Sequence, residues 1–206
     1  MNTDADKRLI RLIPNALTFA RLILTLIFLV MILYAPHTGR DKPATFLMVA
    51  FTLFVVAGLT DVVDGPIARA FGVTSKFGRI VDPLADKILV VGAFICFAIV
   101  NQPTFPNIFS PLTSTVIQWV TAIVILVREV FVTILRHMAE ARGVSFAATV
   151  SGKIKMFIQA IGIGAVVVKW AFVSRAWGDW FTVVTFAIML IVTVVSGFRS
   201  LRRPRE

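Results

Sequence analysis

The chain has 206 residues, of which 58% are hydrophobic and 16% charged, with a formal net charge of +10 and a mean hydropathy of +0.88. Soluble domains carry about half apolar and about a quarter charged residues, so this composition excludes an ordinary soluble enzyme and points to an all-α integral membrane protein. The positive charge does not point to nucleic acid, because the Lys and Arg positions follow membrane topology.

Residues 3–12 place Lys7, Arg8 and Arg11 beside Leu9, Ile10 and Leu12, the pattern of a short amphipathic helix on an anionic membrane surface. Apolar runs long enough for a hydrocarbon core of roughly 30 Å follow at 14–34, 46–69, 80–100, 115–135, 154–173 and 179–198, which predicts six transmembrane helices. No internal repeat or low-complexity linker divides the chain, so residues 1–206 are expected to form a single membrane domain. The first run is too long for a signal-peptide core and lacks a small-residue cleavage site. It contains Asn15, Thr18 and Arg21, candidates to line a site, with helix packing as the alternative.

With the N-terminus inside, fourteen Lys and Arg residues fall in inner segments and four, Arg40, Lys42, Lys169 and Arg175, in outer loops. Tyr34 and all four tryptophans fall at the outer helix ends, as expected of interfacial anchors. Both termini are therefore expected in the cytoplasm. Segments 36–43 and 102–111, rich in Gly and Pro, read as plain outer connectors.

The second and third runs meet at a short inner loop, roughly 70–78, and carry four carboxylates, Asp61, Asp64, Asp82 and Asp86. Each charge inside a membrane helix costs roughly 2.5–3.5 kcal/mol on insertion scales, so the cluster requires a neutralising partner. Asp61, Asp64, Gly65 and Ala68 have the i, i+3, i+4, i+7 spacing of one helical face, and Gly78, Asp82 and Asp86 step by four. Pro66 and Pro83 interrupt these runs and can kink a helix; the alternative for Pro83 is the first residue of a helix capped by Asp82. Clustered carboxylates suit a hard divalent cation, Mg2+ or Mn2+, which in turn binds phosphate oxygens. The small residues let a ligand approach the backbone, and Arg69 can pair with a phosphate; ordinary helix packing and topology anchoring are the alternatives.

Asp61, Asp64, Gly65, Ala68 and Arg69, then Gly78, Asp82 and Asp86 at their spacings, resemble the complete signature of the CDP-alcohol phosphatidyltransferases. That family is similarly built from six transmembrane helices with an amphipathic N-terminal segment. The stretches PNALTFAR at 14–21, and Arg128-Glu129 through Arg136 to Ser151-Gly152-Lys153 and Lys155, look most like its bacterial phosphatidylglycerophosphate synthases. The resemblance implies that Asp61, Asp64 and Asp82 hold the metal, with Asp86 beside them as ligand and general base. It also implies that Asp64, Gly65, Ala68, Arg69 and Gly78 hold the CDP part of CDP-diacylglycerol. It further implies a homodimer in the bacterial inner membrane, surrounded by membrane lipids, with the active site on the cytoplasmic side.

If the acceptor is glycerol 3-phosphate, its dianionic phosphate needs cations, and Arg128, Arg136, Lys153 and Lys155 are the candidates. Arg128 interrupts an apolar run; an ion pair with Glu129 or snorkelling to the interface is the alternative. Other acceptors (phosphatidylglycerol, inositol phosphate or serine), a cation transporter, and prenyl-diphosphate chemistry are the competing readings. His37 and His137 lack metal-ligand spacing, and the single Cys96 excludes an internal disulfide.

Overall fold

Within a bilayer every backbone N–H and C=O has to be satisfied by the chain itself, and for a single apolar run the helix is the conformation that does so. The computed structural model describes residues 4–37, 43–70, 76–142 and 150–201, with side chains at 16, 18–37, 44–60, 84–85, 87–139, 141–142 and 154–200. Among the described residues there are six α-helices, one 3-10 helix and no strand. The α-helices are α1 (Asp4–Tyr34), α2 (Pro43–Ala70), α3 (Lys76–Ile99), α4 (Pro111–Ala141), α5 (Val150–Phe172) and α6 (Ala176–Leu201).

Four stretches, Thr18–His37, Pro111–Ala139, Ile154–Phe172 and Ala176–Ser200, are long and apolar enough to cross a membrane. The described apolar runs of α2 and α3 are shorter, Ala44–Thr60 and Lys87–Ile99. Helix α1 runs unbroken through Pro14, so residues 4–12 are its first turns and not a separate element. Helix α3 begins at Lys76, so Pro83 lies within it and is not its first residue. A membrane helix tolerates an internal proline because neighbouring groups re-satisfy the freed carbonyl.

The chain divides into two units, residues 1–93 and 94–206. In the first, α1 packs on α2. The buried positions of α1 are Thr18, Arg21, Thr25, Phe28 and Ile32, and those of α2 are Leu47, Ala50, Phe54 and Ala57. Both sets alternate steps of three and four, the spacing of a helix–helix seam. Phe28 and Phe54 meet across it with ring centroids 5.4 Å apart. Apolar side chains such as Phe19, Leu26 and Val30 are exposed instead, as expected where lipid is the solvent.

In the second unit α6 packs against both α4 and α5. Phe94, Phe105 and Phe186 form an aromatic core, with Phe186 5.9 Å from Phe94 and 6.5 Å from Phe105 in edge-to-face geometry. The connector 100–110 is tied down, contrary to the expectation of a plain link. Gln118 Nε2 donates to Pro103 O at 2.8 Å, and Asn107 donates from its backbone N and from Nδ2 to Asp179 Oδ2 at 3.1 and 2.9 Å. Lys169, expected in an outer loop, is buried in the last turn of α5. It donates to Thr104 O and lies 2.9 Å from Asp179 Oδ1 as an ion pair without good hydrogen-bond alignment.

Candidate active site

The signature residues fall on helical backbone throughout. Asp61, Asp64, Gly65, Ala68 and Arg69 lie in the last three turns of α2, and Gly78, Asp82 and Asp86 in the first three turns of α3. On continuous helices their spacings set Asp61 with Asp64, and Asp82 with Asp86, in register on one face each. The donor set fits a hard divalent cation, since it consists of carboxylate oxygens with no soft ligand. The side chains of all eight residues lie outside the described residues, as do those of Asn15 and Lys153.

Thr18 and Arg21 are placed more fully. Both lie on the buried stripe of α1, and Arg21 is 0% exposed. A wholly buried guanidinium in an apolar helix is retained only where its charge has work or partners. The Thr18 hydroxyl is small enough to sit in a helix seam.

The second unit carries a buried charged network on α4, α5 and α6. Arg128 Nη1 donates to Glu129 Oε1 at 3.0 Å, and the Lys155 ammonium donates to the same oxygen. Arg128 Nη2 donates to Ser196 Oγ at 3.0 Å. The Ser196 hydroxyl donates its own proton to Thr193 O at 2.9 Å, which leaves its lone pairs to receive the arginine. The Arg128–Glu129 ion pair anticipated from sequence is therefore present, and it has a second cation attached. Arg136, eight residues further along α4 and partly exposed, is about 12 Å away along the helix axis.

Three residues of this region escaped the sequence reading as site candidates. Glu129 was visible only as a counter-ion to Arg128, and nothing in the sequence linked it to Lys155, 26 residues away. Ser196 resembles any small residue of a membrane helix. Gln159, one turn beyond Lys155 on α5, is 1% exposed, and neither end of its amide has a hydrogen-bond partner among the described residues. Its only signal in the sequence is a polar side chain within an apolar run.

Similarity to known proteins runs along most of the chain. The family description "CDP-alcohol phosphatidyltransferase" matches residues 11–196. A Mycobacterium tuberculosis protein named "Probable phosphatidylglycerophosphate synthase" is 32% identical over 185 residues, covering 90% of this chain and 78% of its own. The Bacillus subtilis protein named CDP-diacylglycerol–glycerol-3-phosphate 3-phosphatidyltransferase is 34% identical over 195 residues, covering 90% and 91%. A Haemophilus influenzae protein of the same name is 33% identical over 156 residues, covering 74% and 73%. With the whole aspartate signature inside the matched span, the chain belongs to the CDP-alcohol phosphatidyltransferase family.

Proposed function

We propose that this protein transfers the phosphatidyl group of CDP-diacylglycerol to glycerol 3-phosphate, giving phosphatidylglycerophosphate and CMP. The observation that carries the reading is the full signature from Asp61 to Asp86 on the helical ends of α2 and α3. The names of its relatives support glycerol 3-phosphate as acceptor.

Asp61, Asp64 and Asp82, with Asp86 adjoining, are the residues that would hold Mg2+ or Mn2+. Held there, a divalent cation would supply charge neutralisation for the diphosphate and for the departing CMP. Asp64, Gly65, Ala68, Arg69 and Gly78 hold the CDP moiety. Asp86 accepts the proton of the attacking hydroxyl as the new P–O bond forms and the P–O bond to CMP breaks. Arg128, Arg136, Lys153 and Lys155 take the acceptor's phosphate, and Asn15, Thr18 and Arg21 line the site.

The chain is read as a single domain of six spans with an amphipathic start. It sits as a homodimer among the lipids of a bacterial inner membrane, with both termini and the active site cytoplasmic. The test is CMP release by the purified protein with CDP-diacylglycerol and magnesium, comparing glycerol 3-phosphate, serine, inositol phosphate and phosphatidylglycerol. Release only with glycerol 3-phosphate, lost on chelation and in Asp86→Asn, is expected. Release with another acceptor overturns the acceptor, and no release from folded protein overturns the reaction.

A further inference from the structure

Arg128, Glu129 and Lys155 bring two cations and one carboxylate together on apolar helices. A guanidinium has five N–H donors. Here Nη1 is used on Glu129 and Nη2 on Ser196, while the buried Nε has no partner among the described residues. An unused guanidinium donor held away from water favours capture of an anion.

Glu129 is what makes the two cations converge. Arg128 on α4 and Lys155 on α5 repel one another, yet both bond one oxygen of the same carboxylate. Thr133 Oγ1 bonds the Glu129 carbonyl at 2.6 Å. Ser196 holds the far side of the guanidinium and is oriented by its own bond to Thr193 O.

We propose that Glu129 is a positioning residue for the acceptor's phosphate ester, gathering Arg128 and Lys155 on one carboxylate oxygen while Ser196 fixes the guanidinium, so that a dianion meets preorganised donors. This rests on the assignment of Arg128 and Lys155 to the acceptor phosphate made above. Glu129 touches neither the phosphate nor the reacting atoms.

The test is steady-state kinetics of the purified full-length protein, varying glycerol 3-phosphate and CDP-diacylglycerol separately. Glu129→Gln is expected to raise KM for glycerol 3-phosphate by about tenfold, the scale of one charge-assisted hydrogen bond, with KM for CDP-diacylglycerol unchanged. A role in folding alone would not separate the two substrates. Glu129→Asp, which keeps the charge, falls between wild type and Glu129→Gln, and Ser196→Ala shifts the same constant in the same direction.

An unchanged KM for glycerol 3-phosphate in folded Glu129→Gln overturns the proposal. So does a lowered one, which would make Glu129 a competitor of the phosphate. Should Glu129→Gln fail to fold, unchanged constants in both Glu129→Asp and Ser196→Ala overturn it equally. Arg128→Ala separates the two levels. If it leaves KM for glycerol 3-phosphate unchanged, the acceptor-site reading fails and this inference with it. If it raises KM while Glu129→Gln does not, only the role of Glu129 fails.

Discussion

Lys169 Nζ and Asp179 Oδ1 stand 2.9 Å apart, joining the last turn of α5 to the first turn of α6. Each charge also suits its own helix end, a cation at a C-terminus and an anion at an N-terminus. Asn107 and Thr104 attach the preceding connector to the same pair. The pair thus sets where the α3–α4 connector lies, although it is remote in sequence from that loop.

Breaking this pair from one side should be costly. Asp179 is 1% exposed, and Asp179→Ala leaves a buried ammonium without its counter-ion and removes the acceptor shared by two Asn107 donors. Loss of about 3–5 kcal/mol is expected, as for other buried pairs missing a partner. Lys169→Met should cost less, since Asn107 still bonds the carboxylate. The double variant Lys169→Met/Asp179→Ala should recover part of the loss, because no buried charge is left. Unfolding midpoints in detergent for the four proteins close the cycle.

Gly178 and Gly92 make different predictions from similar crowding. A Cβ on Gly178 would fall 2.4 Å from Val173 Cγ1, and one on Gly92 2.8 Å from Leu29 Cδ1. Valine is stiff at χ1, whereas the end of a leucine can swing away. Gly178→Ala is therefore expected to cost about 1–3 kcal/mol, the range for overpacking, and Gly92→Ala less. Val173→Ala in the Gly178→Ala background should restore the unfolding midpoint, and failure to do so would remove the steric explanation.

Gln159 predicts a gain. Its amide is buried with both ends unpartnered, and an unsatisfied buried polar group costs about 1–3 kcal/mol. Gln159→Met keeps the length and flexibility of the side chain while removing the amide. Its unfolding midpoint should rise above that of wild type, and a fall would show that the amide is satisfied in the folded protein.

The helices were legible because a long apolar run leaves the backbone no alternative, and residues 46–69 and 179–198 both lie within observed helices. The place of Pro83 was not legible, since the preference of proline for helix N-termini competes with membrane tolerance of an internal proline, and the second holds in α3. The aspartate signature could be read because its residues are close together in sequence and their types are rare in apolar surroundings. The link from Glu129 to Lys155 and the Lys169–Asp179 pair were not, since each depends on which turn of one helix faces another. Periodicity assigns residues to faces, but it does not pair the faces.

Cys96 offers a direct reading of how these changes act on the second unit. It is the only cysteine in the chain, and it lies buried in α3 beside the aromatic pair Phe94 and Phe97. A buried thiol reacts only when the surrounding packing opens, so its labelling rate follows the population of the open state. In native protein, a fluorogenic maleimide is expected to label Cys96 slowly until the temperature reaches the unfolding transition. Asp179→Ala should advance labelling and Gln159→Met delay it. Rapid labelling of the wild-type protein well below that transition would show that α3 opens independently of the network that ties down the α3–α4 connector.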